Sequence, residues 1–583
     1  MRKTKIICTI GPASDNEAIF ESLVLKGANA IRLNFSHGSY EEHGRRINIA
    51  KKLREKHKIP LSIILDTKGP EIRLGSFSIE PIELREGQPF TLTTREVDGN
   101  DSIATVNYKA LPKDVKTGDK ILLDDGLIEL KVDNVNDTDI YCTVINSGLI
   151  SSHKSINVPG VSIQLPSITQ KDIDDIVFGI ENGIDTIAAS FIRRAEDILE
   201  IKKILENNNA DDVQIIAKIE NQEGINNLDD IITVADGIMI ARGDLGVEIP
   251  TEDVPVVQKA IIVKCRDAGK PVIIATQMLD SMIRNPRPTR AEATDVANAI
   301  YEGADATMLS GETASGKYPL EALSTMIRII ERVEQSLNCD TPLYDRFISS
   351  LSITNAISHA TCTIARDLGA KAIITATKSG YTARMVAKYR PIAPIIATTM
   401  SRIVYNKLSI VWGVVPFIAP QMQDTDEMIE QSVNIAMQSD IIASGDLLVI
   451  TAGVPVGVSG TTNLIKVHIA GDILLKGTGF GIKAVYGRVC VVKSYLDAKT
   501  RFKDGDILVA KATDNSLLPF MRRASAIITE EGGVGSHAAV VGLTLEIPVI
   551  VGAQEATEIL ADDLWVTVDP QQGFVYNGKA NIV

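Results

Sequence analysis

Cysteine is sparse and scattered in this chain, at Cys8, Cys142, Cys265, Cys339, Cys362 and Cys490, with no C-x-x-C pair and no regular spacing. That pattern fits reduced, mostly structural thiols better than a disulfide framework. Long apolar runs are missing too. None approaches the roughly 20 residues needed to span a bilayer. The opening "MRKTKIICTIGPAS" holds an apolar run too short for a signal peptide and has no cleavage-site pattern after it. The expectation is a cytoplasmic protein with no membrane partner. Basic residues are outnumbered, with Lys and Arg totalling 60 against 74 Asp and Glu, a formal charge of −14. This balance argues against a general nucleic-acid binder, which needs net basic patches, and leaves room for a small basic pocket.

What is present is ordinary globular material: 45% hydrophobic and 23% charged residues in 583 positions. That length predicts about three to five domains. From residue 1 to about 340, eight short apolar runs alternate with amphipathic helical patterns: "KIICTI", "AIRLNF", "SIILDT", "TIAASF", "QIIAKI", "GIMIAR", "PVIIAT" and "ATMLSG". Such runs mark parallel strands covered on both faces, and eight of them predict a (β/α)8 barrel at residues 1–73 and 159–344. The rhythm breaks after "LDTKGPEIR", where residues 74–158 read as short strands and turns, an all-β domain inserted as a lid. Helical periodicity returns at "SITQKDIDDIVFGIENG", with Ser167 expected as the N-cap. Residues 345–472 predict an open α/β domain with strands "AIITAT", "PIIATT", "VVPFIA" and "LLVIT". The connector "LLKGTGFGIKAVYG" reads as a flexible linker, and 474–583 as a compact fourth domain.

Polar residues collect at the carboxyl ends of the barrel strands. Side chains on a strand alternate faces, so Lys218 and Glu220 in "VQIIAKIENQEG" point the same way, as do Arg32, Asn34 and Ser36. Asp66 and Thr67 close strand three, Gly243 and Asp244 follow strand six, and strand seven delivers Thr276. Glu220 and Asp244, from adjacent strands, are hard oxygen ligands that suit Mg²⁺ or Mn²⁺. Arg32 and Lys218 add cations, and this combination is what phosphoryl transfer needs. Asn34, Ser36, Asp66 and Thr67 make a second, all-oxygen group with one formal negative charge, either a K⁺ site or a plain hydrogen-bond network.

"TKIICTIGPAS", "IRLNFSHG", "LDTKGPEIR", "AKIENQEG", "IMIARGDLGVEIP" and "PTRAEATDVANAI" together resemble the pyruvate kinases, over about residues 1–472. The resemblance implies phosphoryl transfer from phosphoenolpyruvate to ADP, giving pyruvate and ATP. By the same motifs, Glu220 and Asp244 would hold the divalent metal, Lys218 would stabilise phosphoryl and enolate charge, and Arg32 would hold phosphate. The Gly243 and Asp244 amides and Thr276 would fix the substrate carboxylate, and Arg73 and Lys154 would contact nucleotide phosphates. Asn34, Ser36, Asp66 and Thr67 would hold K⁺, whose use accompanies an acid at Glu71 in this family. Two rivals are a metal-dependent pyruvate-enolate lyase or aldolase on the same barrel and a dikinase-like phosphotransferase.

In "ITATKSGYTARMVAKY", Thr377, Lys378, Ser379, Gly380 and Thr382 lie between a strand and a helix, where amides and hydroxyls can receive an anion. The segment resembles the family's effector site for a phosphorylated ligand, with "TAGVPVGVSGTTN" facing it, in an allosteric homotetramer. Finally, "TEEGGVGSHAAVVGLTLEIPVIVG" resembles the mobile domain of phosphoenolpyruvate-utilising enzymes, with His537 in the phosphohistidine position. Gly535 stands where that pattern has Thr, and no segment remains for an ATP-grasp partner. The reading is a domain kept for packing or subunit contacts, with phosphotransfer through His537 as its alternative.

Overall fold

The structure is a computed structural model describing residues 1–337, 352–421, 424–439, 441–454, 461–471, 473–580 and 582. The chain divides into two compact units, Met1–Ser349 with Ser401–Pro416, and Ser350–Met400 with Phe417–Val583. In the first, eight parallel strands close a barrel: β1 (Lys5–Thr9), β2 (Ala30–Asn34), β3 (Ser62–Asp66), β4 (Thr186–Ala189), β5 (Gln214–Ile219), β6 (Gly237–Ala241), β7 (Val272–Ala275) and β8 (Ala306–Leu309). These are the eight apolar runs of the sequence, and they follow one another around the barrel in chain order.

Alternation sorts each strand into two faces. Ile7, Ala30, Ile64, Ala188, Ile216 and Met239 pack together inside the barrel, while their neighbours Ile31, Ile63, Leu65, Ile187, Ile215 and Ile240 face the surrounding helices. The interior is therefore a packed core, and the next inward residues up the strands, Arg32, Asp66 and Lys218, form its carboxyl-terminal mouth.

Nine strands between Ile72 and Asn157, seven in one sheet and two in a second, build the inserted β domain around its own core, which includes Phe90, Leu92, Ile121, Leu130 and Ile140. Its first and last strands pair antiparallel, Arg73 opposite Ser155, so the insertion leaves and re-enters the barrel at one place. The helix after it, Gln170–Glu181, is capped by Thr169 and not by Ser167. Thr169 and Asp172 form a reciprocal capping box, whereas the Ser167 hydroxyl donates to the Glu200 carboxylate.

The segment Ser401–Pro416, which the sequence pattern groups with the third region, finds its partners beneath the barrel. Ile410 joins the interior core, Ser409 Oγ accepts from Ser62 N at 3.2 Å, and the Trp412 amide donates to Asp305 Oδ1 at 3.2 Å.

In the second unit, parallel strands β9 (Ala372–Ala376), β10 (Ile395–Thr399) and β11 (Leu447–Ala452) are joined by antiparallel β12 (Leu464–Ile469), in the order β10-β9-β11-β12. The last region is an eight-stranded mixed sheet whose strands β13 (Ile507–Ala510), β14 (Ala526–Thr529) and β15 (Val549–Val551) run parallel. The connector expected to be a flexible linker belongs to this sheet: Ile473–Lys476 pairs with Phe574–Asn577, and Thr478–Phe480 with β15. Its glycines serve close backbone approach, since a β-carbon on Gly477 would sit 2.6 Å from the Val551 carbonyl oxygen. Cys8, Cys142, Cys265, Cys362 and Cys490 are buried and free; Cys339 lies outside the described residues. Among the described residues no helix is long and apolar enough to cross a membrane.

Lys5 is buried at the start of β1, its ammonium donating to the Val414 carbonyl oxygen at 2.7 Å. Burial first, and then the Arg2 charge, push it from 10.5 down to about 7 against the opposing pull of Glu334 and Asp305. The unfolded chain then holds a proton that the folded chain lacks between those values, so stability rises with pH across that window. At about 1.36 kcal/mol per unit the whole effect is on the order of 5 kcal/mol. The thermal midpoint of the native chain relative to Lys5→Met should climb from pH 7 to pH 10. A constant offset would mean that the ammonium is hydrated.

Candidate active site

The mouth of the barrel is organised around Lys218. Its ammonium, almost wholly buried, lies 3.1 Å from Asp66 Oδ1, 2.9 Å from Glu220 Oε1 and 2.7 Å from Ser190 Oγ. Arg32 Nε donates to the other Asp66 oxygen at 2.5 Å, and Arg32 Nη1 lies 3.3 Å from Thr9 Oγ1. Asp66 is thus shared by both cations. Burial raises its pKa, but Arg32 and Lys218 outweigh this and hold the carboxyl below its ordinary range. For Lys218 burial acts downward, yet Asp66 and Glu220 leave the ammonium above its usual value, so it stays charged.

Glu220 follows β5 directly, and its Oε2 accepts from the Phe191 amide at 2.6 Å. Asp244 lies in the short helix α1 (Arg242–Glu248) that follows β6, the neighbour of β5. Burial is the main cause that raises both acids. Lys218 opposes the rise in each, while Asp244 adds to that of Glu220, and Asp125 and Glu71 add to that of Asp244. Two buried acids held against ionisation suit a bound divalent cation, which would favour their charged forms. The described residues contain no group of three or more His, Cys, Asp or Glu side chains placed as a metal cage. Two carboxylates completed by water and substrate oxygens are what Mg²⁺ takes, so the donor set fits.

Thr276 and Gln277 close β7 in the left-handed region, at φ 65° and 56°. A β-branched residue there is a true outlier, costing about 1–3 kcal/mol, and such strain gathers at ligand sites. Thr276 Oγ1 accepts from the Gly243 amide at 2.8 Å, while Arg242 binds the Thr276 carbonyl oxygen at 2.9 Å and Asp295 at 2.7 Å.

The all-oxygen group is only partly assembled as read. Asn34 Oδ1 accepts from the Ser36 amide at 3.1 Å, so these two are together. Asp66 is engaged by Arg32 and Lys218, and Thr67 Oγ1 accepts from the Ser190 amide at 3.0 Å. Its oxygens and single formal charge suit a monovalent ion of K⁺ type better than a second divalent one.

Between lid and mouth lies a cavity of about 1000 Å³, lined among others by Arg73, Asn157, Arg193, Gly243, Asp244 and Glu248. The Asn157 side-chain amide donates to Glu248 Oε1 across it at 2.8 Å. Arg73 pairs with Glu71 at 2.7 Å, and Lys154, just before the adjoining lid strand Ser155–Asn157, with Asp124 at 2.9 Å.

In the second unit Thr377, Lys378, Ser379 and Gly380 form the turn between β9 and helix α2 (Tyr381–Ala387), with Gly380 at φ 80°. Thr382 is buried, its hydroxyl 3.0 Å from that of Thr462. Thr462 belongs to the glycine loop expected to face this turn; residues 455–460 of that loop lie outside the described residues. His537 opens helix α3 (His537–Leu545), capped by Ser536. Its Nδ1 lies 2.9 Å from Thr513 Oγ1 and its Nε2 3.3 Å from Asn515 Oδ1, so the ring's hydroxyl neighbour comes from a loop remote in sequence.

Ser190, Phe191 and Arg242 were not among the residues singled out from the sequence. For Ser190 the signal was available: it lies two positions beyond inward-facing Ala188, and the same-face test applies to "TIAASF" as to its neighbours. Phe191 and Arg242 act through backbone or across elements, which spacing does not record.

The chain matches the family described as pyruvate kinase, barrel domain, over residues 1–323 and the pyruvate kinase alpha/beta domain over 355–468. Residues 502–573 match the mobile domain of phosphoenolpyruvate-utilising enzymes. Full-length relatives described as pyruvate kinase include those of Geobacillus stearothermophilus (53% identical), Bacillus licheniformis (52%) and Sporosarcina psychrophila (50%), each alignment covering all of both chains. A crystal structure of a pyruvate kinase from Cryptosporidium parvum superposes with a TM-score of 0.76 at 40% identity, over 80% of this chain and 96% of that one.

Asp66 pairs with two cations at once. Asp66→Asn should cost about 3–5 kcal/mol, as breaking a buried pair does, read as a lower denaturation midpoint. An unchanged midpoint would mean that Arg32 and Lys218 are solvated at the mouth.

Proposed function

The chain belongs to the pyruvate kinase family, and on that premise we propose how its residues carry out the glycolytic transfer of a phosphoryl group from phosphoenolpyruvate to ADP. The observation that carries the assignment of roles is the buried Lys218 ammonium, held among Asp66, Ser190 and Glu220 beside Asp244 at the barrel mouth.

In this reading Arg32 receives the phosphate of phosphoenolpyruvate, and the Gly243 and Asp244 amides with Thr276 fix its carboxylate. The phosphorus–oxygen bond to the enolate breaks as one forms to a terminal oxygen of ADP. Negative charge then lies on the transferring group and on the enolate oxygen, and the Lys218 ammonium meets both. The enolate carbon next takes a proton to give pyruvate, with Thr276 beside the delivery path. Arg73 and Lys154 hold the nucleotide phosphates from the lid side, exchanging their present acid partners for them. Glu220 and Asp244 would hold Mg²⁺ or Mn²⁺, which when bound supplies positive charge to substrate oxygens. Asn34, Ser36, Asp66 and Thr67 would hold K⁺, with Glu71 as the acid that accompanies it.

The turn Thr377–Thr382 serves as the effector site, taking a phosphorylated ligand in a cytoplasmic homotetramer whose subunit arrangement transmits the signal. A monomer in sedimentation at working concentration would remove that route. The last domain packs or makes subunit contacts, and His537 takes no part in turnover.

A lactate-dehydrogenase-coupled assay with phosphoenolpyruvate, ADP and Mg²⁺ should show turnover that requires K⁺. Activity unchanged after removal of K⁺ and its mimics would overturn the monovalent assignment. Lys218→Met should abolish turnover with phosphoenolpyruvate binding largely intact. For the tail, His537→Ala should match the native rate, and phosphate-labelled phosphoenolpyruvate should leave no acid-labile label on the chain. Label on His537 would reopen the dikinase-like route.

A further inference from the structure

Ser190 carries no charge and follows the plain apolar stretch of β4, yet it touches more of the mouth than any motif indicates. The buried hydroxyl accepts from Lys218 Nζ at 2.7 Å and donates to the Thr67 carbonyl oxygen at 2.6 Å, with Asp66 Oδ1 at 3.3 Å. Its amide donates to Thr67 Oγ1 at 3.0 Å. Since β4 lies between β3 and β5, Ser190 ties the end of one neighbour to the ammonium group borne by the other.

The next residue completes a two-residue grip. Phe191 sits at φ 55°, a conformation that a bulky side chain rarely takes, and its amide holds Glu220 Oε2 at 2.6 Å. One turn therefore orients both members of the Lys218–Glu220 pair. Gly69 clamps the turn from outside: a β-carbon there would lie 2.7 Å from the Phe191 ring and 2.9 Å from Ser190 Cβ.

An ammonium group has three N–H bonds: two go to Ser190 Oγ and Asp66 Oδ1, while Glu220 Oε1 stands 2.9 Å from the nitrogen as an ion pair. Asp66 is fixed in turn by Arg32, and Ser190 by Thr67. Glu220 differs, because it meets the ammonium by charge alone and is also assigned, with Asp244, to a divalent cation. We propose that Ser190 is a positioning residue for phosphoryl transfer: with Asp66 it fixes two Lys218 N–H bonds, so that the third, left without a hydrogen bond beside Glu220, is the one that turns to the transferring group and the enolate.

This rests on the role given to Lys218 above, so Lys218→Met is measured alongside. Ser190→Ala removes the hydroxyl, Ser190→Cys keeps its approximate shape but is a poor acceptor, and Ser190→Thr keeps the acceptor. A misaimed group of this kind costs about 10- to 100-fold in rate. Ser190→Ala and Ser190→Cys should lose that much in kcat at saturating K⁺, with KM for phosphoenolpyruvate within about threefold and thermal midpoints near native. Ser190→Thr should recover most of the rate. Native kcat in both Ser190→Ala and Ser190→Cys overturns the inference, as does a loss wholly in KM or one seen only below saturating K⁺, which would place the hydroxyl's role with Asp66 and Thr67 instead. An inactive Lys218→Met beside fully active Ser190 variants overturns the inference alone. An active Lys218→Met overturns the Lys218 reading, and the inference with it.

Discussion

A charged ammonium group buried at the end of a packed barrel is the constraint on which the rest of the mouth depends. Lys218 stays charged there because Asp66 and Glu220 stand within about 3 Å of it, and a charge taken out of water without such partners would neutralise instead. The arrangement propagates outward. Asp66 must answer two cations, so Arg32 is drawn to it; Glu220 must be held against Asp244, so the Phe191 amide is turned toward it through a strained backbone. Low dielectric makes each of these contacts stronger and makes any missing one costly.

The barrel supplies the rigidity that this balance requires. Ile64, Ala188 and Ile216 fill the interior directly below Asp66, Ser190 and Lys218, so each polar side chain stands on a packed apolar residue of its own strand. Strain at Thr276 and Phe191 is affordable only on such a base. The lid enters and leaves the barrel at one antiparallel pair, a root that places Arg73 and Ser155 on the cavity wall without interrupting the barrel strands.

Farther along the chain the same logic acts on polar satisfaction. The Thr382 hydroxyl, buried in the second unit, is answered by Thr462 from another loop, and His537 has a ring partner at each nitrogen. The hydroxyl at the helix entrance, Ser536, caps the Ala539 amide, and the hydroxyl beside the His537 ring is that of Thr513. The glycines of 477–481, suggestive of a loose connector by composition, sit where a β-carbon would run into Val551, Pro570 or Pro548 of the same sheet and its turns.

Alternation along strands is a property of the backbone, and it made much of the site legible: eight apolar runs gave eight barrel strands, and the two-residue spacing put Lys218 with Glu220, and Arg32 with Asn34, on one face. Residue chemistry likewise marked Glu220 and Asp244 as acids beside a cation, and both act on Lys218. Partner choice was not legible, because it depends on which strands become neighbours and how far each side chain reaches. Asp66 was grouped with oxygens by its type, but the closed barrel sets it between Arg32 and Lys218. Thr169 displaced Ser167 as the helix cap because Asp172 completes its box while Glu200 engages the serine. Ser190, uncharged and set among alanines, gains its place only when closure brings β3 and β5 to either side of it. The sequence by itself determined which groups could bear charge and which face of each strand they occupy. Tertiary structure alone decided which of them are hydrogen-bonded to one another, since hydrogen bonds are made by distance and angle, and only the closed barrel sets those.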